Sequence, residues 1–115
     1  MKSHAILSTK IQGEIMTNSN KQKIEKWRDS MDRTLASLHF QKIHDKKLQV
    51  SLKFWISKER LQNRKNDLDN LTKPVLDSMK RMGVIEDDSF IYHLELSKFP
   101  TSGEEEVQLE IKEWR

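Results

Sequence analysis

The sequence has no cysteine among its 115 residues, which excludes disulfides and thiolate zinc sites. It contains 3 glycines and 2 prolines, with no linker-like stretch, low-complexity segment or internal repeat. A chain of this length is one domain. It is long enough to bury about two-thirds of its unfolded surface in a core that needs no staples. No run approaches the ~18 apolar residues of a membrane helix. Met1–Ile15 mixes charged, polar and apolar residues too finely for a secretory signal.

What the chain does have is charge: 34% of its residues, for a net of +3. The sign is unevenly distributed. Residues 1–66 hold 15 Lys/Arg and 6 Asp/Glu, and residues 67–115 hold 6 Lys/Arg and 12 Asp/Glu. A basic half joined to an acidic half suggests an electrostatic division of labour, although a well-solvated surface with uneven charge reads equally well at this level.

Hydrophobic spacing gives the elements. Ala5–Ile15 reads as a weak strand interrupted at Gly13, where a bulge is expected. Ser19-Asn20-Lys21-Gln22 has the form of a capping box. It precedes a stripe of Ile24, Trp27, Met31, Leu35 and Leu38 at helical spacing. Leu48, Val50, Leu52, Phe54 and Ile56 alternate with polar residues as a strand. Lys58–Asn66 reads as a polar loop. A second helix is expected over Leu71–Met82, capped at Asn70 so that Pro74 falls in its first turn, with Gly83 as its stop. Phe90–Ser97 and Val107–Ile111 alternate as two further strands, expected to pair as an antiparallel hairpin. The order β-α-β-α-β-β implies an α+β single domain, a mixed sheet with two helices packed on it.

The chemistry concentrates in Asn66-Asp67-Leu68-Asp69-Asn70-Leu71-Thr72-Lys73-Pro74 and in Glu86-Asp87-Asp88. Two carboxylates two residues apart share a side when the chain is extended and repel unless one is protonated. A hard divalent cation relieves that conflict, and oxygen donors suit magnesium. Five residues after the second helix are just long enough for Asp88 to return to its start, about 18 Å away. Other readings remain open on residue types alone. Asp69 or Asn70 serves as a helix cap, Asp69 and Lys73 form a surface pair, and Glu86–Ser89 is an ordinary turn. A calcium loop starting at Asp67 is set aside, because Thr72 and Ser78 stand where glycine and glutamate are needed.

The run from Asp67 to Asp77 followed by Gly83-Val84-Ile85-Glu86-Asp87-Asp88 resembles the signature of the RusA-type Holliday-junction resolvases. These are small, often prophage-encoded bacterial endodeoxyribonucleases. The resemblance implies a cytoplasmic, homodimeric, magnesium-dependent nuclease, with manganese as a substitute, that cuts four-way DNA by paired nicks in recombination and repair. It puts the metal-binding catalytic acids at Asp67, Asp69 and Asp88 and the essential lysine at Lys73. Asp77 and Asp87 fall where the family is often acidic. The first 60 residues carry no motif, and the chain is on the short side for the family.

In that reading, Lys73 offsets charge developing on the phosphate. Lys58, Arg60, Arg64 and Lys65 immediately precede the acids and neutralise flanking phosphates; a solvated connection is the alternative. Lys21, Lys23, Lys26, Arg28 and Arg33 read as the solvent face of the first helix. His4, His39, His44 and His93 lack metal-ligand spacing and read as structural or exposed. Trp27 belongs to the core. Trp55 and Trp114 read as packing residues, with an interface or base stacking as alternatives. Two other functions stay open: a junction-DNA-binding module that does not cut, and a nuclease for other branched DNA.

Overall fold

The computed structural model describes residues 5–40 and 43–115; His4 lies outside them. The elements run β1 (Ala5–Gln12), α1 (Ile24–Ala36), β2 (Leu48–Ser57), α2 (Lys58–Leu61), α3 (Leu68–Arg81), β3 (Ile91–Thr101) and β4 (Glu106–Glu113). Single 3₁₀ turns at Arg64–Asn66 and Asp88–Phe90 precede α3 and β3. The strands form one mixed sheet in the order β1-β4-β2-β3, with both long helices buried against it in one core.

The apolar stripes explain the packing. Ile24, Trp27, Met31 and Leu35 are buried along α1, and Leu71, Val75 and Met79 along α3. They meet Val50, Leu52, Phe54 and Ile56 of β2 and Val107, Leu109 and Ile111 of β4, which are sealed from solvent. Asp32 on α1 bonds Ser78 and Arg81 on α3, fixing the helices side by side.

Several local expectations are corrected. The last two strands do not form a hairpin. β3 runs parallel to β2, as the crossover through α3 requires, and so occupies β2's outer side. β4 then passes the end of β2 and inserts antiparallel between β1 and β2. There both faces of its backbone ladder are satisfied and its three inward apolar residues are covered. Gly13 is no bulge: it ends β1, with φ at +148° and a Cβ there only 3.2 Å from the Trp27 ring. The cap before α1 comes from Asn20, whose side chain accepts the Lys23 amide at 3.1 Å; Ser19 instead bonds Thr17. In β3 the register slips opposite Leu48/Gln49. Tyr92 therefore turns outward to 57% exposure, out of the row it would share with Leu94 and Leu96. The expected loop at 58–66 folds as α2 and a 3₁₀ turn.

The second long helix starts at Leu68, three residues before the expected position. Asp67 caps it, accepting the Asn70 amide at 2.8 Å. Pro74 thus lies inside the helix, leaving the Asn70 carbonyl without its usual amide donor. Packing outweighs that loss, since Pro74 is itself buried. The helix stops as expected at Gly83, which takes φ +73°. Its amide bonds the Lys80 carbonyl and the Val84 amide bonds the Met79 carbonyl, the paired closure of a Schellman motif.

Candidate active site at the start of α3

Asp67 and Asp69 stand exposed at the first turn of α3, where the unpaired amides of a helix N-terminus favour negative charge. The segment leading to them is tied down by neutral groups. Asn66 is buried; its side chain donates to the Arg60 carbonyl at 3.0 Å and its amide to the Asn63 carbonyl at 2.9 Å. The Asn70 side chain donates back to the Lys65 carbonyl, and the Asn63 side chain accepts the Lys65 amide. The Thr72 hydroxyl takes the Leu68 carbonyl at 2.6 Å. Under all of this, the Lys98 ammonium of β3 donates to the carbonyls of Leu61 at 3.2 Å and Asn66 at 3.0 Å.

Lys98 was not singled out from the sequence, although a signal exists. Leu94, Leu96 and Lys98 share the inward phase of β3, opposite Val50, Leu52 and Phe54. A lysine in that phase calls for buried acceptors. Glu105 gave no such signal. Its side chain is largely covered; it accepts the amides of Ile15 at 3.1 Å and Ser57 at 2.9 Å, and pairs with Arg60. Arg60 also bonds the Ile15 carbonyl. Of the four expected phosphate-binding residues, Lys58, Arg64 and Lys65 are exposed, whereas Arg60 is spent on this internal knot.

Lys73 is exposed one turn beyond Asp69, so the structure brings Asp67, Asp69 and Lys73 to one end of α3. It does not bring Asp88 there. Asp88 pairs with Lys80 at 3.0 Å, and Lys80 also lies 3.7 Å from Asp77, at the far end of the helix. Val84 and Ile85 are buried, as a return of the chain requires, but the return stops at the last turns. The Asp88 hydrogen bond raises the Lys80 pKa. Asp87 caps the following 3₁₀ turn, and its pKa is lowered by the Ser89 hydroxyl and amide. Among the described residues, no three His, Asp or Glu side chains are close enough together to hold a metal ion. The donor chemistry of Asp67 and Asp69, two exposed carboxylates, suits a hard cation, but one chain supplies only these two of the three expected acids at that place.

Of the tryptophans expected to pack, Trp27 and Trp55 do so, whereas Trp114 is 37% exposed. Trp27 is buried, Trp55 stacks on Phe99 at 4.6 Å, and Trp114 lies flat on His93 at 4.9 Å. His39 and His44 are exposed.

No curated protein matches the sequence. The family model described as endodeoxyribonuclease RusA matches residues 7–112. That match runs from within β1 to within β4, so the chain belongs to the RusA endodeoxyribonuclease family, whose members resolve Holliday junctions.

Proposed function

We propose that this chain is a magnesium-dependent, structure-selective endodeoxyribonuclease that resolves four-way DNA junctions as a homodimer, by paired nicks. The observation that carries the proposal is the exposed Asp67–Asp69 pair at a helix start, within the family's signature and without ion-pair partners among the described residues.

Asp67 and Asp69 would contribute oxygen ligands to the cation, with Asp88 as the third acid of the set. A divalent cation so held supplies an acidified water and a polarised phosphate. Around it the protein's own groups act. The cap bond from the Asn70 amide fixes one oxygen of Asp67 and hence the direction of its carboxylate. Lys73 offsets charge that develops on the phosphate. Lys58, Arg64 and Lys65 neutralise flanking phosphates, giving salt-dependent binding without sequence readout. A four-way junction has approximate two-fold symmetry, which an isologous dimer matches with two sites. Membership of the family supports DNA as the partner, and no helix among the described residues is long and apolar enough to cross a membrane.

The test is a panel of synthetic four-way, flap and linear DNAs at fixed salt, cut by wild type and by Asp69→Asn in magnesium and in manganese. Wild type should cut four-way DNA in preference to the rest. Asp69→Asn should lose roughly 10²–10³-fold in cutting rate while still binding the junction. Tight junction binding by a wild type that never nicks would make it a binding module. Preference for flaps would move the substrate, and full cutting by Asp69→Asn would remove the acid pair from the chemistry.

A further inference from the structure

Two hollows run together along the loop that joins β1 to α1. One, of about 350 Å³, lies between Gly13 and the first turns of α1, floored by the buried Met16 and Trp27. The other, of about 310 Å³, lies between that loop and the segment leading to Asp67, and reaches Lys65 and Asn66. Glu14, Met16 and Lys23 line both, so the two form one trough that ends at the residue before Asp67. Each part falls within the size range of ligand pockets, at its lower end.

The trough is held in the same frame as the acids. Gly13, with its positive φ, brings the chain out of β1 flush with the Trp27 ring. The Thr17 and Ser19 hydroxyls bond at 2.7 Å and Asn20 caps α1, which sets one wall. Arg60, on the other wall, bonds the Ile15 carbonyl, and Glu105 ties both together. The charge of the trough is one-sided. Lys23 and Lys26 stand one turn apart where α1 begins, and Lys65 stands at the far end. Lys26 and Lys65 have no ion-pair partner among the described residues. Glu14 is the one carboxylate among the described residues of the lining. It pairs with Lys23 at 3.3 Å where the hollows meet, with both side chains more than half exposed, and such a pair is weak enough to open. The other cations of α1 lie elsewhere: Arg33 borders a hollow with Lys10 and Gln12, and Arg28 one with Asp32 and Asp77. Cations along a narrow groove suit a single strand of nucleic acid; a duplex is too broad for it.

Resting on the nuclease reading above, we propose that this trough holds a stretch of the cut strand next to the scissile phosphate, with its phosphates on Lys26, Lys23 and Lys65. Lys23 exchanges Glu14 for a phosphate as the strand enters. The start of α1 then belongs to the substrate site, not to the solvent face that its sequence suggests.

Two measurements test this. The first is fluorescence anisotropy on a synthetic four-way junction in EDTA, where nothing is cut. Lys23→Ala and Lys26→Ala should each weaken binding several-fold at low salt and lower its salt slope by about 0.7, the single-strand value per phosphate. Glu14→Gln should tighten binding by about two- to fivefold. Arg33→Ala and Glu25→Gln make equal charge changes on the same helix outside the trough, and should stay within about twofold of wild type at physiological salt. Equal effects from both sets would make α1 a general basic surface and overturn the trough. Second, because the chain has no cysteine, Ser19→Cys places a single thiol in the trough. Carrying a short photo-cross-linker, it should attach to the cut strand, within a few nucleotides of the wild-type nick, and not to its complement. Attachment to the complement, to distant arms or to nothing would overturn the proposal. Binding that follows the trough in a chain that never nicks would keep the trough and remove the nuclease reading. Nicking with no response to the three trough substitutions would do the reverse.

Discussion

The two ends of α3 are both acidic, yet they are built in opposite ways. At the start, Asp67 and Asp69 stand in solvent, and the backbone beneath them is held by Asn66, Asn70 and Lys98. At the far end, Asp32, Asp77 and Asp88 are each matched to a cation, Arg81 or Lys80. The acids at the far end are neutralised where they stand. Asp67 and Asp69 are left unpaired among the described residues, and the surrounding structure supports their backbone instead. Fixing the position while withholding a counter-charge is what distinguishes the candidate site from an ordinary helix terminus.

Four substitutions break or sharpen this contrast. The largest effect on stability is expected from Glu105→Ala. It strands Arg60 in a largely buried place and removes the acceptor for two amides, at a cost of about 3–5 kcal/mol by urea titration. Cutting should fall with it, since the α2 segment leading to Asp67 hangs from this knot. Lys98→Met removes the donor for two carbonyls at the site's floor. It should cost about 1–3 kcal/mol and lower kcat more than DNA binding, because Lys98 holds the segment that aims the acids; equal loss in both would make it a fold residue only.

Asp32→Asn acts at the other end. Burial raises the Asp32 pKa, but the Arg81 and Ser78 hydrogen bonds more than offset this and leave it lowered from 3.8. A lowered carboxylate pKa stabilises the fold above the unfolded value and loses that contribution as pH falls through the folded one. The variant should therefore be about 1–2 kcal/mol less stable at neutral pH. The difference should begin to narrow as pH falls below the unfolded carboxylate value of about 4 and close only below the lower folded value in thermal melts across pH, with cutting per folded molecule unchanged. The smallest effect belongs to Lys80→Ala. Its pairs with Asp77 and Asp88 are solvent-exposed, so the melting temperature should move by no more than about two degrees, and by less at high salt.

Local signals carried much of this structure. The stripes of α1 and α3, the alternation of β2, the stop at Gly83 and the Asp67–Asp69 pair all depend on neighbours within a few residues. What was hidden depends on distance. Whether Asp67 or Asn70 caps the helix turns on burial of Pro74, which a propensity argument places in the first turn. Arg60 reads as a phosphate ligand until Glu105, 45 residues on, claims it. Lys98 is one more basic residue until its strand phase is fixed by pairing with β2. The place of β4 between β1 and β2 follows from which strand the α3 crossover leaves free, a choice that no single segment encodes.

The Glu105 knot also bears on when the protein becomes competent during synthesis. It joins Ile15, Ser57 and Arg60 to a residue 90, 48 and 45 places further along the chain, and contacts of such sequence separation form late. A nascent chain halted before residue 105 already carries Asp67, Asp69 and Lys73 but lacks the clasp and the β4 strand that close their support. The support beneath the acids is therefore complete only once Glu105 and β4 have been made.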